Sequence, residues 1–352
     1  MSDDALPSGG ERTAFTIALV ADLHAAHAYL RANDPGVRGD PHRKAAEGEL
    51  ELLRAESVVG AAKVPQEALA VIRRYLRVWR PGHLWVTDDR VKSARHEPLP
   101  PTLNVLSSKT LVIGLPSFDT SCAVSIEQLL TSHRAALETH PNWILDIRGS
   151  AGGFDYVYAP LLDWLMPLDF ISVGVEFLAS RANADAHERL ARQLGIEDSG
   201  LDALKRLVDS IRLARDGEYV RLDEEKSGFT VHRAVKDFRH RPTKVGVLVD
   251  SNVGSSSEEF LLTIRSSPLV RIFGQSTAGV LDYSNCRPWP LPSGDRTLWY
   301  ATSRSLRLPE RPIDGVGVLP DYALPPPKDE QERIAELEAV QMHLEASARD
   351  WR

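Results

Sequence analysis

Three consecutive serines stand where an apolar strand runs into a helix. Residues 252–260 read Asn-Val-Gly-Ser-Ser-Ser-Glu-Glu-Phe; they follow Val245-Gly-Val-Leu-Val249 and precede the apolar start Phe260-Leu-Leu262. The pattern predicts a buried strand, a tight turn and a helix. Ser255 and Glu258 match the Ser-x-x-Glu capping box, which satisfies orphan N–H groups at a helix start. The same geometry suits acyl transfer. A hydroxyl on such a turn lies beside backbone N–H groups and the positive end of a helix, both of which stabilise an oxyanion.

A second turn of this kind precedes it, Trp143-Ile-Leu-Asp146-Ile-Arg148-Gly149-Ser150-Ala151-Gly152-Gly153, leading into a helical stretch, 156–165. Its glycines let the backbone approach a reacting group and direct N–H groups outward. Together the two turns resemble the C-terminal processing protease and tricorn family of serine peptidases. That family carries an Asp-Leu-Arg-Gly-Asn-Gly-Gly-Gly turn and a later Ser-Ala-Ala-Glu turn whose first serine is the nucleophile. Matching Glu258 to the family's glutamate assigns the nucleophile to Ser255, whereas matching Glu259 assigns it to Ser256. The first register is preferred, because Ser-x-x-Glu-Glu-Phe is a common form of the turn.

The resemblance extends over most of residues 70–325. Pro81-Gly82-His83 stands at the end of a helical region and before a short strand, where tricorn-like members carry their general base. The processing proteases place a lysine base in a Gly-Glu-Pro-Thr-Phe-Gly-Lys turn. Here the corresponding stretch is Gly274-Gln-Ser-Thr277-Ala-Gly279-Val280, with valine in the lysine's place. The missing lysine and the present His83 support one another. A closing Gly317-Val-Leu-Pro320-Asp321 resembles the family's Gly-Val-x-Pro-Asp motif, and Asp314 takes the place of the orienting acid, usually glutamate. The resemblance thus implies Ser255 as nucleophile, His83 as base and Asp314 as orienting acid. The oxyanion hole would use backbone N–H groups of Gly152 and Ser256, with neither metal nor cofactor.

The rest of the composition bounds the reading. The chain has 352 residues, enough for two domains, and 43% hydrophobic with 26% charged residues is ordinary for a globular protein. A net charge of −7 gives no reason to expect nucleic acid or an anionic membrane as partner. Two cysteines, Cys122 and Cys286, exclude a disulfide framework. The run Phe15-Thr-Ile-Ala-Leu-Val20 is too short to span a membrane and lacks the flanks of a signal peptide, so a cytoplasmic protein is expected. His24 and His27 lie three apart on a helix with no further ligand at a recognised spacing, so no metal site is assigned.

The elements that must position these groups follow from periodicity. Residues 12–80 recur at helical spacing, with a Gly/Pro loop at 34–42 and Pro65 opening another helix. Strands are expected within 104–118, a helix over 125–138, then the strand before the Gly-rich turn. Strand and helix in alternation predict an α/β core with parallel pairing. Residues 168–241 read as helices and an exposed hairpin without assigned chemistry, and 328–349 as a Glu-rich helix on the surface. The resemblance adds a crotonase-like ββα superhelix, giving an N-terminal helical domain (1–100), a catalytic core (101–325) and a C-terminal helix (326–352). No inserted PDZ-like module is seen. The expected partner is a peptide or protein substrate, and a homo-oligomer is compatible with the sequence. Three other readings share these features: a non-catalytic binding protein on the same fold, a hydrolase of small esters or amides, and a scaffold whose serine turn is only a helix cap. The first has no need of both His83 and Ser255; the second, as an α/β-hydrolase, lacks a Gly-x-Ser-x-Gly elbow at Ser255.

Overall fold

A computed structural model describes residues 9–39, 45–59, 65–80, 82–89, 98–194, 199–222, 228–234 and 242–346. It shows a mixed α/β fold in two compact units. Each unit is assembled from separated stretches of chain: 1–94, 173–228 and 282–312 form one, and 95–172, 229–281 and 313–352 the other. The division therefore differs from the expected boundaries at 100 and 325. The N-terminal helices share a core with residues near 300 and do not stand alone.

The second unit is built on a six-stranded sheet. Its order is Tyr322–Ala323, Val270–Gly274, Lys244–Val249, Asn142–Asp146, Thr110–Gly114 and Thr102–Val105. The first five strands pair parallel, and the last pairs antiparallel with its neighbour. Parallel strands are covered on both faces, which is why these read as continuous apolar runs. Leu111, Ile113, Trp143, Leu145, Val245 and Val247 share one core with the helices Ala123–Ser132, Asp155–Leu165 and Ser256–Ile264. The alternate residues Val112, Ile144, Leu248 and Phe273 meet Val340 and Leu344 of the helix Glu330–Glu345. That C-terminal helix is thus a structural layer. Lys244 Nζ also donates to its terminal carbonyls, Leu344 and Ala346, both at 2.7 Å. The helix expected over 125–138 is two helices, Ala123–Ser132 and Arg134–Thr139, divided at His133.

The first unit packs the helices Gly9–Asn33, Ala45–Val59 and Pro65–Trp79 against a three-stranded antiparallel sheet of Trp85–Asp88, Arg296–Tyr300 and Arg287–Pro290. Alternation decides the faces: Val86 and Leu298 point into the core, while Trp85 and Trp299 stack on the other side. Two fully buried carboxylates here meet arginines, Asp22 with Arg296 and Asp34 with Arg80. His24 and His27 face protein partners, Glu56 and the Tyr75 hydroxyl. The helices Arg181–Leu194 and Ser199–Leu213 pack beside a second antiparallel sheet ordered Tyr283–Ser284, Ser303–Ser305, Val175–Leu178 and Tyr219–Val220. In place of the hairpin expected in 168–241, Phe170–Val173 pairs with Phe229–His232, two strands separated in sequence by the helices Arg181–Leu194 and Ser199–Leu213. Neither Cys122 nor Cys286 is joined in a disulfide.

Candidate active site

Ser255 caps the helix Ser256–Ile264 at the end of the turn that leaves the strand Lys244–Val249. Its backbone is left-handed, φ 56° and ψ −128°. A side chain other than glycine in that region costs on the order of 1–3 kcal/mol, and such strain persists only where the surroundings enforce it. The enforcement is visible. Glu258 accepts the Ser255 N–H at 3.2 Å, and its own N–H returns to the Ser255 carbonyl at 2.8 Å. The carboxylate half of the predicted Ser-x-x-Glu capping box is therefore formed, and the Glu258 N–H is taken by the Ser255 carbonyl. Burial pushes the Glu258 carboxyl above its ordinary pKa, and its hydrogen bonds oppose that rise.

The Gly-rich turn lies directly on this elbow. A methyl group added to Gly152 would sit 2.7 Å from both the Gly254 carbonyl and the Ser255 Cβ, and 2.9 Å from the Ser256 nitrogen. With φ +102°, this position accepts only glycine on conformation as well as space. Ser150 ties the two turns together. Its carbonyl accepts the Gly254 N–H at 3.1 Å, and its hydroxyl lies 2.8 Å from that of Ser257, with both side chains buried. Asp250 adds a further link, accepting the Gly149 N–H at 3.0 Å. Gly152, Ser255 and Ser256 are thereby brought together within one unit. The Ser256 hydroxyl is buried without a hydrogen-bond partner, whereas its N–H opens the helix, where backbone donors have no partner inside the helix.

The loop after Gly274 completes this side. Val280 occupies the expected place of a lysine and presents hydrocarbon towards Gly254. Asp314 accepts the Leu281 N–H at 2.7 Å, and Gly315 donates to the Gly279 carbonyl at 2.9 Å, so the 313–317 turn braces the 279–281 segment.

His83 belongs to the other unit and follows the helix Pro65–Trp79. Of the predicted Pro81-Gly82-His83 turn, Pro81 lies outside the described residues. His83 also has a positive φ, 53°. Arg80, paired with buried Asp34, donates to the carbonyls of Gly82 and His83 at 3.0 and 2.9 Å and so fixes the turn. Nδ1 of His83 donates to the Tyr283 carbonyl at 2.5 Å. This bond selects a tautomer whose lone pair is on Nε2, the form a general base requires. Burial lowers the His83 pKa to about 4; the Tyr283 carbonyl opposes the fall and the Arg80 cation adds to it. The imidazole is neutral at pH 7. Tyr283 was not found from sequence, because a backbone carbonyl leaves no residue-type signature.

A serine elbow braced by a Gly-rich turn on a mostly parallel sheet is a feature of serine hydrolases, and the other unit holds a neutral histidine in the basic tautomer. The family model for peptidase family S41 matches residues 109–324, more than half of the chain. The chain belongs to that family and is a serine peptidase acting on peptide or protein substrates. No curated protein matches it. Among solved structures, mature CPAF shares 10% identity at TM-score 0.65, covering 93% of this chain and 96% of that one. A lipoprotein from Streptococcus agalactiae shares 14% at TM-score 0.53, covering 98% and 99%. The tricorn protease shares 11% at TM-score 0.53; 93% of this chain is covered but only 37% of that one. At these identities the structural matches speak for the fold alone.

Proposed function

We propose that the peptidase works through an acyl-enzyme in which Ser255 attacks the scissile carbonyl and His83 takes its proton, later giving it to the leaving amine. Backbone N–H groups of Gly152 and Ser256 receive the oxyanion in this reading. The observation that carries it is the left-handed Ser255 elbow with Gly152 packed against it. Strain of this kind collects at reacting groups. The neutral, Nδ1-protonated state of His83 supports its role as base. The fold proposed for the core is the crotonase-like superhelix. A fluorophosphonate probe should label a single residue, and tandem mass spectrometry of the adduct should place it on Ser255. An adduct on Ser256 would shift the register by one residue.

Asp314 is assigned a positioning role in this mechanism, through the Leu281 N–H, two residues before the carbonyl that holds His83. An asparagine retains a side-chain oxygen for that N–H, whereas an alanine leaves the donor without its acceptor. Asp314→Asn is expected to cost less than about tenfold in kcat and Asp314→Ala about ten- to a hundredfold, on the scale of one lost hydrogen bond. A loss of about 10⁴ in Asp314→Asn, with an unchanged melting temperature, would instead assign its charge to the imidazolium.

A further inference from the structure

Glu258 is fully buried, and it is held differently from three other buried acids of this chain. Asp22, Asp34 and Glu336 each face an arginine: Arg296, Arg80 and Arg148. Among the described residues Glu258 faces no cation. Its carboxylate meets four donors, two on each oxygen. Oε1 accepts the Thr277 hydroxyl and the Gly279 N–H at 2.8 Å; Oε2 accepts the Val280 N–H at 2.9 Å and the Ser255 N–H at 3.2 Å. No ionised side chain appears among the influences on its pKa, which are burial and these four bonds.

A helix cap does not require this arrangement. One exposed acceptor is enough to cap a helix, satisfying one of its N-terminal donors. Burying a carboxylate without a counter-charge carries a large desolvation cost that its hydrogen bonds must offset. Three of the four donors come from another loop, 277–280, which touches the elbow through Val280 at Gly254.

We propose that Glu258 is the positioning residue of the nucleophile, its ionised carboxylate holding Ser255 in the left-handed conformation and locking the elbow to the 277–280 loop. The inference rests on Ser255 being the nucleophile. The chemistry of the four donors specifies an anion. A glutamine, nearly identical in shape, must place its NH₂ at one of the two oxygen positions. At Oε1 it meets the Gly279 N–H, and at Oε2 the N–H groups of Ser255 and Val280. Donor faces donor either way, and the elbow is free to relax towards an unstrained backbone. A protonated carboxyl carries the same fault, since one oxygen then bears a hydrogen.

Glu258→Gln tests this on the full chain with a fluorophosphonate probe. The maximal labelling rate at Ser255 should fall about a hundredfold while the probe concentration for half-maximal rate stays within threefold. The melting temperature should change little, because the substitution also removes a buried charge. In the wild type, labelling should fail on acidification in a range set by both Glu258 and His83, and the Gln variant should have lost the Glu258 part of that profile. A labelling rate within twofold of wild type overturns the proposal, as does a loss that merely follows the unfolded fraction. If the Gln variant does not fold, Thr277→Val decides: it removes one donor to Oε1 and should slow labelling about three- to tenfold, and an unchanged rate overturns the proposal. Failure of the underlying reading looks different, since the probe would then label wild-type protein at a residue other than Ser255.

Discussion

Ser255→Ala loses turnover of a quenched fluorescent peptide library by about 10⁶-fold, the scale found when the nucleophile of a serine peptidase is removed. That factor corresponds to about 8 kcal/mol of activation free energy. Melting temperature should hold or rise slightly, because alanine at an N-cap gives up little here: the Ser255 N–H and carbonyl already bond to Glu258. The neighbouring Ser256→Ala is the informative contrast. Its hydroxyl is buried without a partner, and its contribution to the proposed oxyanion hole is a backbone N–H that alanine keeps. It should cost at most about tenfold, and removal of an unsatisfied buried hydroxyl should not destabilise the fold. Reversal of the two phenotypes would move the nucleophile to Ser256.

The second large effect is that of His83. His83→Ala should reduce kcat by about 10⁴- to 10⁶-fold, as expected for the base of a nucleophile–base pair. The wild-type pH profile carries the sharper test. Sequence alone suggests a rate that rises through the ordinary histidine value, about 6.5. Burial lowers His83 to about 4, so the base form is already complete at neutral pH. The rate governed by His83 should stay level from pH 8 to about pH 5 and fall only below that. Stability has a related sign. A depressed histidine pKa means that the unfolded chain binds the proton first, so this group's contribution is full above about 6.5 and is lost as pH falls towards 4. His83→Ala should flatten that part of the stability curve. A rate that climbs only where lysine titrates would show another base at work.

Much of the site could be read before any coordinates, and the reasons are local. The Ser255 turn, the Gly-rich turn and the parallel strands that feed them are specified by residues adjacent in sequence. A strand covered on both faces must be apolar throughout, and a backbone that touches Ser255 Cβ must be glycine, as at Gly152. What could not be read depends on distant partners. Tyr283 holds His83 through a carbonyl that any residue would supply. The Glu258 carboxylate gave itself away as a cap through its spacing to Ser255, but its three other donors lie 19 to 22 residues further on. The Glu-rich C-terminal stretch reads as surface helix because only Val340, Leu344 and Glu336 are buried along it. Gly246, which makes room for Val340, shows its meaning only after the helix has docked.

The grouping of the N-terminal helices with late strands has a consequence for how the protein is made. Leu19, Leu23, Ile72 and Leu76 share their core with Leu291, Leu298 and Tyr300. A ribosome must therefore pass residue 290 before the helices Gly9–Asn33 and Pro65–Trp79 can find the surfaces that cover them. At about 5–20 residues per second, that interval is on the order of tens of seconds. During it an oily helical hairpin stands exposed, a state that invites chaperone binding and self-association. Contacts so far apart in sequence are also slow to form once the chain is free. Maturation should proceed as a late, concerted closure, and a nascent chain arrested short of residue 290 should remain sensitive to protease along its N-terminal helices.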